Sequence, residues 1–322
     1  VQVVEGAIPW KFKSSPGHMA KVIKIEEKKA SAEHVPFVIA VVGPTAIGKS
    51  NFAIELAKRF NGEIISADSR QVYRGLDIGS GKVTKKEMKG VPHHLLDVAD
   101  PRDVFSVADF TKLAEVKIEE IIARGKVPIV CGGTGLYVDT LLSGSVLPEV
   151  APNPVLRKKL ESQSAEELFK ILSKLDTDRA ATIDAKNPVR LVRAIEIATA
   201  LGKVPKVTSN PRFPTLYIGL DTNDAQLQSN IHKRLNARIK MGMLQEVEKL
   251  HLPRNKGGFG LSWKRLENLG LEYKYCAQLL QSKKQNATTA ATILNNLELA
   301  IWQYAKRQRT WWKRNKDIIW IK

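Results

Sequence analysis

The sequence predicts an α/β protein with a parallel sheet, and three observations carry that reading. Short β-branched apolar runs end on Gly or Asp, as buried parallel strands do. They alternate with segments of helical spacing, the pattern of a doubly wound fold. The chain has 322 residues, 43% of them hydrophobic and 26% charged. That is enough for one large or two unequal domains and excludes a wholly disordered chain.

The elements follow in order. Residues 1–34 are lysine-rich and carry the charged run Lys24–Lys29, with no apolar face to bury. They are expected to form a basic tail, either a mobile appendage or an arm reaching nucleic acid. The ordered part is expected to begin with the strand Phe37–Val42, which ends at Gly43. Phe52, Leu56 and Phe60 then give Ser50–Arg59 a helical period. A strand is expected over Glu63–Ala67, ending at Asp68, and another over Val127–Cys131, ending at Gly132-Gly133. The helix between them, about 107–124, presents Phe110, Leu113, Ile118, Ile121 and Ile122 on an apolar face.

The pattern changes near Pro148, where helices are expected over 154–160, 165–175 and 188–200. Leu216–Leu220 reads as a return to the sheet. The expected division is therefore an α/β core over 35–147 and 213–322 with a mostly helical insertion over 148–212. From Asp224 the chain is helical, broken by a loop over 253–260. It closes with a long basic helix over 288–314 and a short strand, Ile318–Ile321.

Composition narrows the function. Lys+Arg is 51 and Asp+Glu is 33, a net charge of +18, which suits a polyanionic partner such as nucleic acid. No apolar run approaches the roughly 18 residues of a membrane span, and no apolar stretch near the start leads to a cleavage site. The two cysteines, Cys131 and Cys276, supply neither a disulfide framework nor a Cys-based zinc site. A reducing, cytoplasmic setting and no membrane contact are expected. His93 and His94 read as structural, because adjacent strand residues point opposite ways and no third metal ligand is in view.

The strongest local signal is Gly43-Pro44-Thr45-Ala46-Ile47-Gly48-Lys49-Ser50, a G-x-x-x-x-G-K-[ST] phosphate loop between strand and helix. Its amides and the helix N-terminus bind a diphosphate or triphosphate, Lys49 adds a mobile charge, and Ser50 can hold Mg²⁺. The sheet is thus expected to be a P-loop NTPase-like core. The strand 127–131 ends in Gly132-Gly133-Thr134-Gly135, without the acid that a nucleotide hydrolase places there. The acid follows the neighbouring strand instead, at Asp68. There it can take a proton from a nucleophile or reach Mg²⁺ through water, unless it merely caps a turn.

The stretches GPTAIGKS, ISADSRQVYRGLDIGSGK, GVPHHLLDVADP, VCGGTGLYVDTLL, NPVRLVRAIEI, RLNARIKMGMLQEV and QYAKRQRTWWKR together resemble the tRNA dimethylallyltransferases, bacterial type. The resemblance covers the chain from about Phe37 onward. It implies transfer of a dimethylallyl group from dimethylallyl diphosphate to N6 of the adenosine 3′ to the anticodon, in tRNAs reading U-initial codons. By that resemblance Asp68 is the base, Thr134 meets the bridging diphosphate oxygen, Ser50 touches Mg²⁺, and Arg238 is the arginine on the pyrophosphate. Asp68, Ser69, Arg70 and Gln71 would surround the target base. Val189, Arg190, Leu191, Val192 and Arg193, with Arg157, would contact the anticodon stem-loop. A monomer is expected.

Three departures stand out. The segment 234–247 is about one helical turn shorter than in many bacterial members. Gly270-Leu271-Glu272-Tyr273 replaces a G-Y-R sequence, and no C-terminal zinc finger is expected. The basic aromatic stretch Tyr304–Arg314 is expected to bury one of Trp311 and Trp312 and turn its arginines outward. Two other readings remain open at this point, an adenylate isopentenyltransferase and a P-loop kinase or ATPase.

Overall fold

The computed structural model describes residues 37–206, 208–282 and 287–321. The expected tail over 1–34 lies outside these residues. Six parallel strands form one sheet in the order β3-β2-β4-β1-β5-β6. They are β1 (Val38–Val42), β2 (Gly62–Ser66), β3 (His93–His94), β4 (Val127–Cys131), β5 (Thr215–Leu220) and β6 (Ile319–Ile321).

β1 is buried along its whole length and feeds both faces. Ile39 and Val41 pack with Phe52 and Leu56 of α1 (Lys49–Arg59). Val38, Ala40 and Val42 pack with Phe110 and Ile118 of α3 (Val107–Ala123) on the other face. Each such large apolar side chain contributes about 1.5–3 kcal/mol on burial. The short α2 (Lys85–Met88) and α3 each start on a capping box, Thr84/Glu87 and Ser106/Asp109. The apolar face of α3 differs from the expected one at Leu113, which is 39% exposed. The buried positions are Phe110, Ala114, Ile118 and Ile121, and a 3.6-residue period turns 113 away from them.

The chain divides into two compact units, one ending at Leu142 and resuming at Arg212, the other Ser143–Pro211. The second unit holds α5 (Pro154–Leu160), α6 (Ala165–Leu175), α7 (Thr177–Ala180) and α8 (Pro188–Leu201). The break precedes the expected residue 148 because α4 (Gly135–Ser143) runs up to it. Asn153 and Asn187 cap α5 and α8, each followed by a proline whose missing N–H costs nothing in the first turn. Leu160, Leu168, Leu172, Leu191 and Ile195 form this unit's own core.

After β5 the first unit continues with α9 (Asp224–Lys240), α10 (Met243–His251), α11 (Trp263–Leu269), α12 (Leu271–Gln281) and α13 (Ala287–Trp312). Leu297, Ile301 and Ala305 of α13 belong to the α1-side core, whereas Trp312 is fully buried in the α3-side core. The helix therefore passes from one face of the sheet to the other.

Far from that end of the sheet, Glu63 of β2 is 3% exposed. Its carboxylate accepts from Arg124 (2.7 Å) and Lys126 (2.9 Å) and pairs with His94 (2.6 Å). Burial pushes this carboxyl up, but the bonds from Lys126, Arg124 and His94 outweigh it and hold the group down at about 2. A depressed acid contributes stability above its ordinary value near 4.5 and loses it as pH falls toward 2. Glu63→Gln should therefore be less stable at neutral pH and show a flatter acid limb. Denaturant midpoints measured between pH 6 and 2 check this, and parallel curves for the two proteins would refute it.

Candidate active site

Ligands in open α/β sheets bind outside the carboxyl ends of strands flanking a switch in strand order. Here β1 lies between β4, reached after β2 and β3, and β5, reached later. A cavity of about 940 Å³ opens at that point, lined by the phosphate loop and α1, by the ends of β2, β4 and β5, and by α9 and α13.

The loop geometry explains its glycines. Gly43 has φ 140°, and a Cβ there would lie 2.4 Å from the Leu220 carbonyl oxygen. Gly48, at φ 91°, caps α1 without a side-chain bond, which leaves the helix N-terminus open to an anion. Lys49 donates to the Pro44 carbonyl (2.6 Å). Burial pulls its ammonium down to about 8. Arg234, from α9, donates to the Thr45 hydroxyl. Burial, then the charge of Arg238, lowers its guanidinium to about 9, although arginine remains protonated. Neither Lys49 nor Arg234 meets a carboxylate among the described residues. Two half-buried cations with no carboxylate bonded to them, beside an open helix N-terminus, suit an anion.

Across the cavity, Asp68 follows β2. Its Oδ1 accepts from the backbone N–H of Arg70 (2.8 Å) and Gln71 (3.3 Å), so it does cap a turn. Oδ2 has no hydrogen-bond partner among the described residues, and Asp68 lies on the cavity wall. Gln71 is held at both ends, accepting from Ser66 (3.0 Å) and donating to the Gly81 carbonyl (3.3 Å). Ser69 donates its N–H to the Thr134 hydroxyl oxygen (3.2 Å). Arg70 turns back and donates to the Leu269 carbonyl (2.5 Å). The end of β4 reaches the cavity through Cys131, Gly132 and Gly133, while Thr134 faces the Asp68 turn.

Arg238 is a correction. It is 7% exposed and is absent from the cavity wall. It donates to the Gly79 carbonyl (3.0 Å) and to Glu272 (2.9 Å), so its charge is already matched. Arg234, one helical turn earlier, takes the place by the phosphate loop. The i,i+4 spacing of the two arginines was the only sequence signal for it.

The helical unit needs similar corrections. Leu191 is fully buried and Val192 packs on the core, so neither is a surface contact. Arg157 and Arg193 both bind the buried Glu196, at 2.7 and 3.2 Å. Arg190 and Val189 remain exposed. In α13, Arg309 is turned inward, donating to Asp221 (2.7 Å) and pairing with Asp224. Trp311 donates to Asp139 (2.7 Å).

Sequence reasoning also missed Glu246 and Gln308. The Glu246 carboxylate accepts from the consecutive amides of Asp77, Ile78 and Gly79 (3.0, 2.6 and 3.0 Å) and from the Tyr273 hydroxyl (3.1 Å). This fixes the loop whose tip, Ser80-Gly81, lines the cavity. Among the described residues no group of three or more His, Cys, Asp or Glu could hold a metal, and no helix is long and apolar enough to cross a membrane. The Ser50 hydroxyl and the Asp68 carboxylate both line the cavity and are hard oxygen donors. They fit a Mg²⁺ ion that takes its other ligands from phosphate and water.

The IPP transferase family model matches residues 71–315. tRNA dimethylallyltransferase 2 of Treponema denticola is 43% identical over 88% of this chain and 95% of its own length. The enzyme of the same name from Citrifermentans bemidjiense is 38% identical over 92% and 94%. The crystal structure of a full-length tRNA isopentenylpyrophosphate transferase from Bacillus halodurans superposes with a TM-score of 0.64 at 36% identity, covering 88% of this chain and 89% of that one. A eukaryotic dimethylallyltransferase captured acting on tRNA gives 0.75 at 27% identity, with 89% and 73% covered. The phosphate-loop cavity, the parallel sheet around it and these likenesses agree: the chain is a prenyltransferase of the IPP transferase family, the tRNA dimethylallyltransferases.

Proposed function

We propose that the cavity transfers the dimethylallyl group of dimethylallyl diphosphate to N6 of the adenosine 3′ to the anticodon, in tRNAs reading U-initial codons, with release of diphosphate. The observation that carries this reading is the pair of half-buried cations at the phosphate loop, Lys49 and Arg234, lining one cavity with the Asp68 carboxylate. The first pair suits a leaving diphosphate and the carboxylate suits an amine that must lose a proton. The reaction is an alkylation at the first carbon of the allyl group. The C–O bond to diphosphate breaks as the C–N bond forms.

Negative charge grows on the leaving oxygens. The loop amides, Lys49 and Arg234 meet it from the cavity wall, and the Thr134 hydroxyl joins them from the end of β4. Ser50 would hold a Mg²⁺ ion, which would supply further charge neutralisation. The exocyclic amine is a weak nucleophile because its lone pair is delocalised into the ring, so Asp68 Oδ2 accepts its proton as attack proceeds. The target base leaves its stack to reach Asp68, which an anticodon loop permits at low cost. Gln71, fixed at both ends of its amide, positions that base, and exposed Arg190 contacts RNA phosphate. The enzyme works as a cytoplasmic monomer. Nucleoside mass spectrometry of tRNA treated with enzyme and dimethylallyl diphosphate tests the function; unmodified adenosine in every anticodon loop would refute it.

Asp68→Asn keeps an oxygen to cap the turn and removes the base. It should slow transfer by about 10²- to 10⁴-fold while tRNA affinity is unchanged. Single-turnover rates and filter binding measure the two, and a wild-type rate would reject Asp68 as the base.

Lys49 gives a pH signature. Its lowered value, about 8, means that the free enzyme loses this charge as pH rises through 8. The kcat/KM for dimethylallyl diphosphate should fall above that point by about tenfold per pH unit. The kcat itself should fall less, because bound diphosphate holds the proton. A kcat/KM profile flat to pH 9.5 (roughly, since one unit is a tenfold change in protonation) would contradict it.

Arg190→Ala should raise the KM for tRNA, leave that for the donor unchanged, and lower the salt dependence of tRNA binding by about one unit of log–log slope. An unchanged slope would take the helix α8 off the RNA.

A further inference from the structure

Gln308 was not expected at the site, and it joins two parts of it. It lies on α13 and is 6% exposed. Its Oε1 accepts the backbone N–H of Thr45 in the phosphate loop (2.8 Å), and its Nε2 donates to the Gly133 carbonyl in the turn after β4 (2.8 Å). The β1–β4 ladder ends just before both partners. Its last rung pairs Val41 with Cys131, followed by one bond from Gly132 N–H to the Val41 carbonyl (3.2 Å). Beyond that point the ladder stops, the first segment turning into the phosphate loop and the second toward Thr134. Among the described residues, the hydrogen bonds joining the segments 43–50 and 132–135 run through Gln308. The fit is close: a Cβ on Gly133 would lie 2.3 Å from Gln308 Nε2.

We propose that Gln308 is a positioning residue of the transfer reaction, an amide clamp that fixes the distance between the phosphate cradle and Thr134. The proposal rests on the reading of Thr134 as a donor to the leaving diphosphate. One end of the diphosphate then sits in the loop and its reacting oxygen sits at Thr134, so both contacts are made only at one separation. The clamp needs an acceptor and a donor on one planar group of this length, which glutamine alone supplies. A misplacement of about 1 Å at such a site costs on the order of 100-fold in rate.

Gln308→Met keeps the volume and removes both bonds. It should lower the single-turnover rate at saturating donor by about 10- to 100-fold, with the KM for tRNA unchanged. Gln308→Asn keeps a neutral amide but is one methylene too short to bond Thr45 and Gly133 together. It should be as slow with only a small loss of Tm, which covers the case in which the methionine variant fails to fold. The decisive arm is a cycle with Thr134→Ala. If Gln308 acts by placing Thr134, Gln308→Met should cost less than about threefold in the Thr134→Ala background, since coupled residues are not additive.

A slow Thr134→Ala enzyme with Gln308 variants at the wild-type rate overturns the clamp alone. So does a Gln308→Met penalty of the same size in both backgrounds, which marks a merely structural contact. A Thr134→Ala enzyme at the wild-type rate overturns the reading of Thr134 itself, and the proposal with it.

Discussion

Positive charge left without a bonded carboxylate at the carboxyl ends of β1 and β4 is the constraint on which the rest of this site depends. Lys49 and Arg234 are both half-buried on the cavity wall, and neither has a carboxylate bonded to it among the described residues, so each keeps an unmatched charge at partial cost in solvation. In the proposed reaction that charge is matched by the diphosphate of the donor. The surrounding charges are arranged to preserve that condition. Arg238 lies one turn from Arg234 on α9, and Glu272 neutralises it (2.9 Å). Arg309 absorbs Asp221, which lines the cavity and would otherwise compete with a phosphate for the two cations. The helical N-terminus of α1 carries no acidic residue in its first turn, so its dipole adds to the same field.

The wall opposite the phosphate loop solves a different problem, holding irregular backbone still. The segment 76–81 has no ladder to join. Its amides go to Glu246 and to the Tyr273 hydroxyl, and its carbonyls at Gly79 and Gly81 go to Arg238 and Gln71. A carboxylate that accepts several backbone N–H groups makes charge-assisted bonds of about twice the ordinary strength. The replacement of the G-Y-R sequence by Gly270-Leu271-Glu272-Tyr273 makes sense in this setting. Glu272 and Tyr273 are two of the groups that hold Arg238 and this loop in place.

What the sequence made legible was local. β1, the phosphate loop and the start of α1 follow from adjacent residues, and so do the caps of α5, α6 and α8. Asp68 at the end of β2 could be found because strand ends in a parallel sheet point at the ligand. The partners that finish the site could not. Gln308 lies 263 residues from Thr45, Arg234 lies 189 from it, and Glu246 lies 168 from Ile78. Each is a polar residue on a helix whose periodicity describes only its apolar face. Periodicity places Leu235 in the core but cannot say whether Arg234 or Arg238 turns toward the cavity. That choice is made by Glu272, on another helix. Arg309 and Leu191 were misjudged for a related reason, since a run of arginines or a motif match does not reveal which side chain has a buried acid or a core beside it.

The turn Gly132-Gly133-Thr134-Gly135 shows how a motif can record contacts that it does not contain. A Cβ on Gly132 would lie 2.1 Å from the Ala67 carbonyl, one on Gly133 would meet Gln308, and one on Gly135 would lie 2.3 Å from the Trp311 indole nitrogen. The first neighbour comes from the strand beside β4, and the other two come from one helix, α13. That helix carries Ala305 in one core and Trp312 in the other, with Gln308 and Trp311 between them. To cross from face to face it must pass over the ends of the strands, and it can pass this closely only if the turn beneath it has no side chains. The glycines therefore follow from the path of α13 more than from any freedom of the backbone. None of the three has a φ in the left-handed region. Thr134, which keeps its side chain, points instead at the Asp68 turn, where a hydroxyl has a partner and a use.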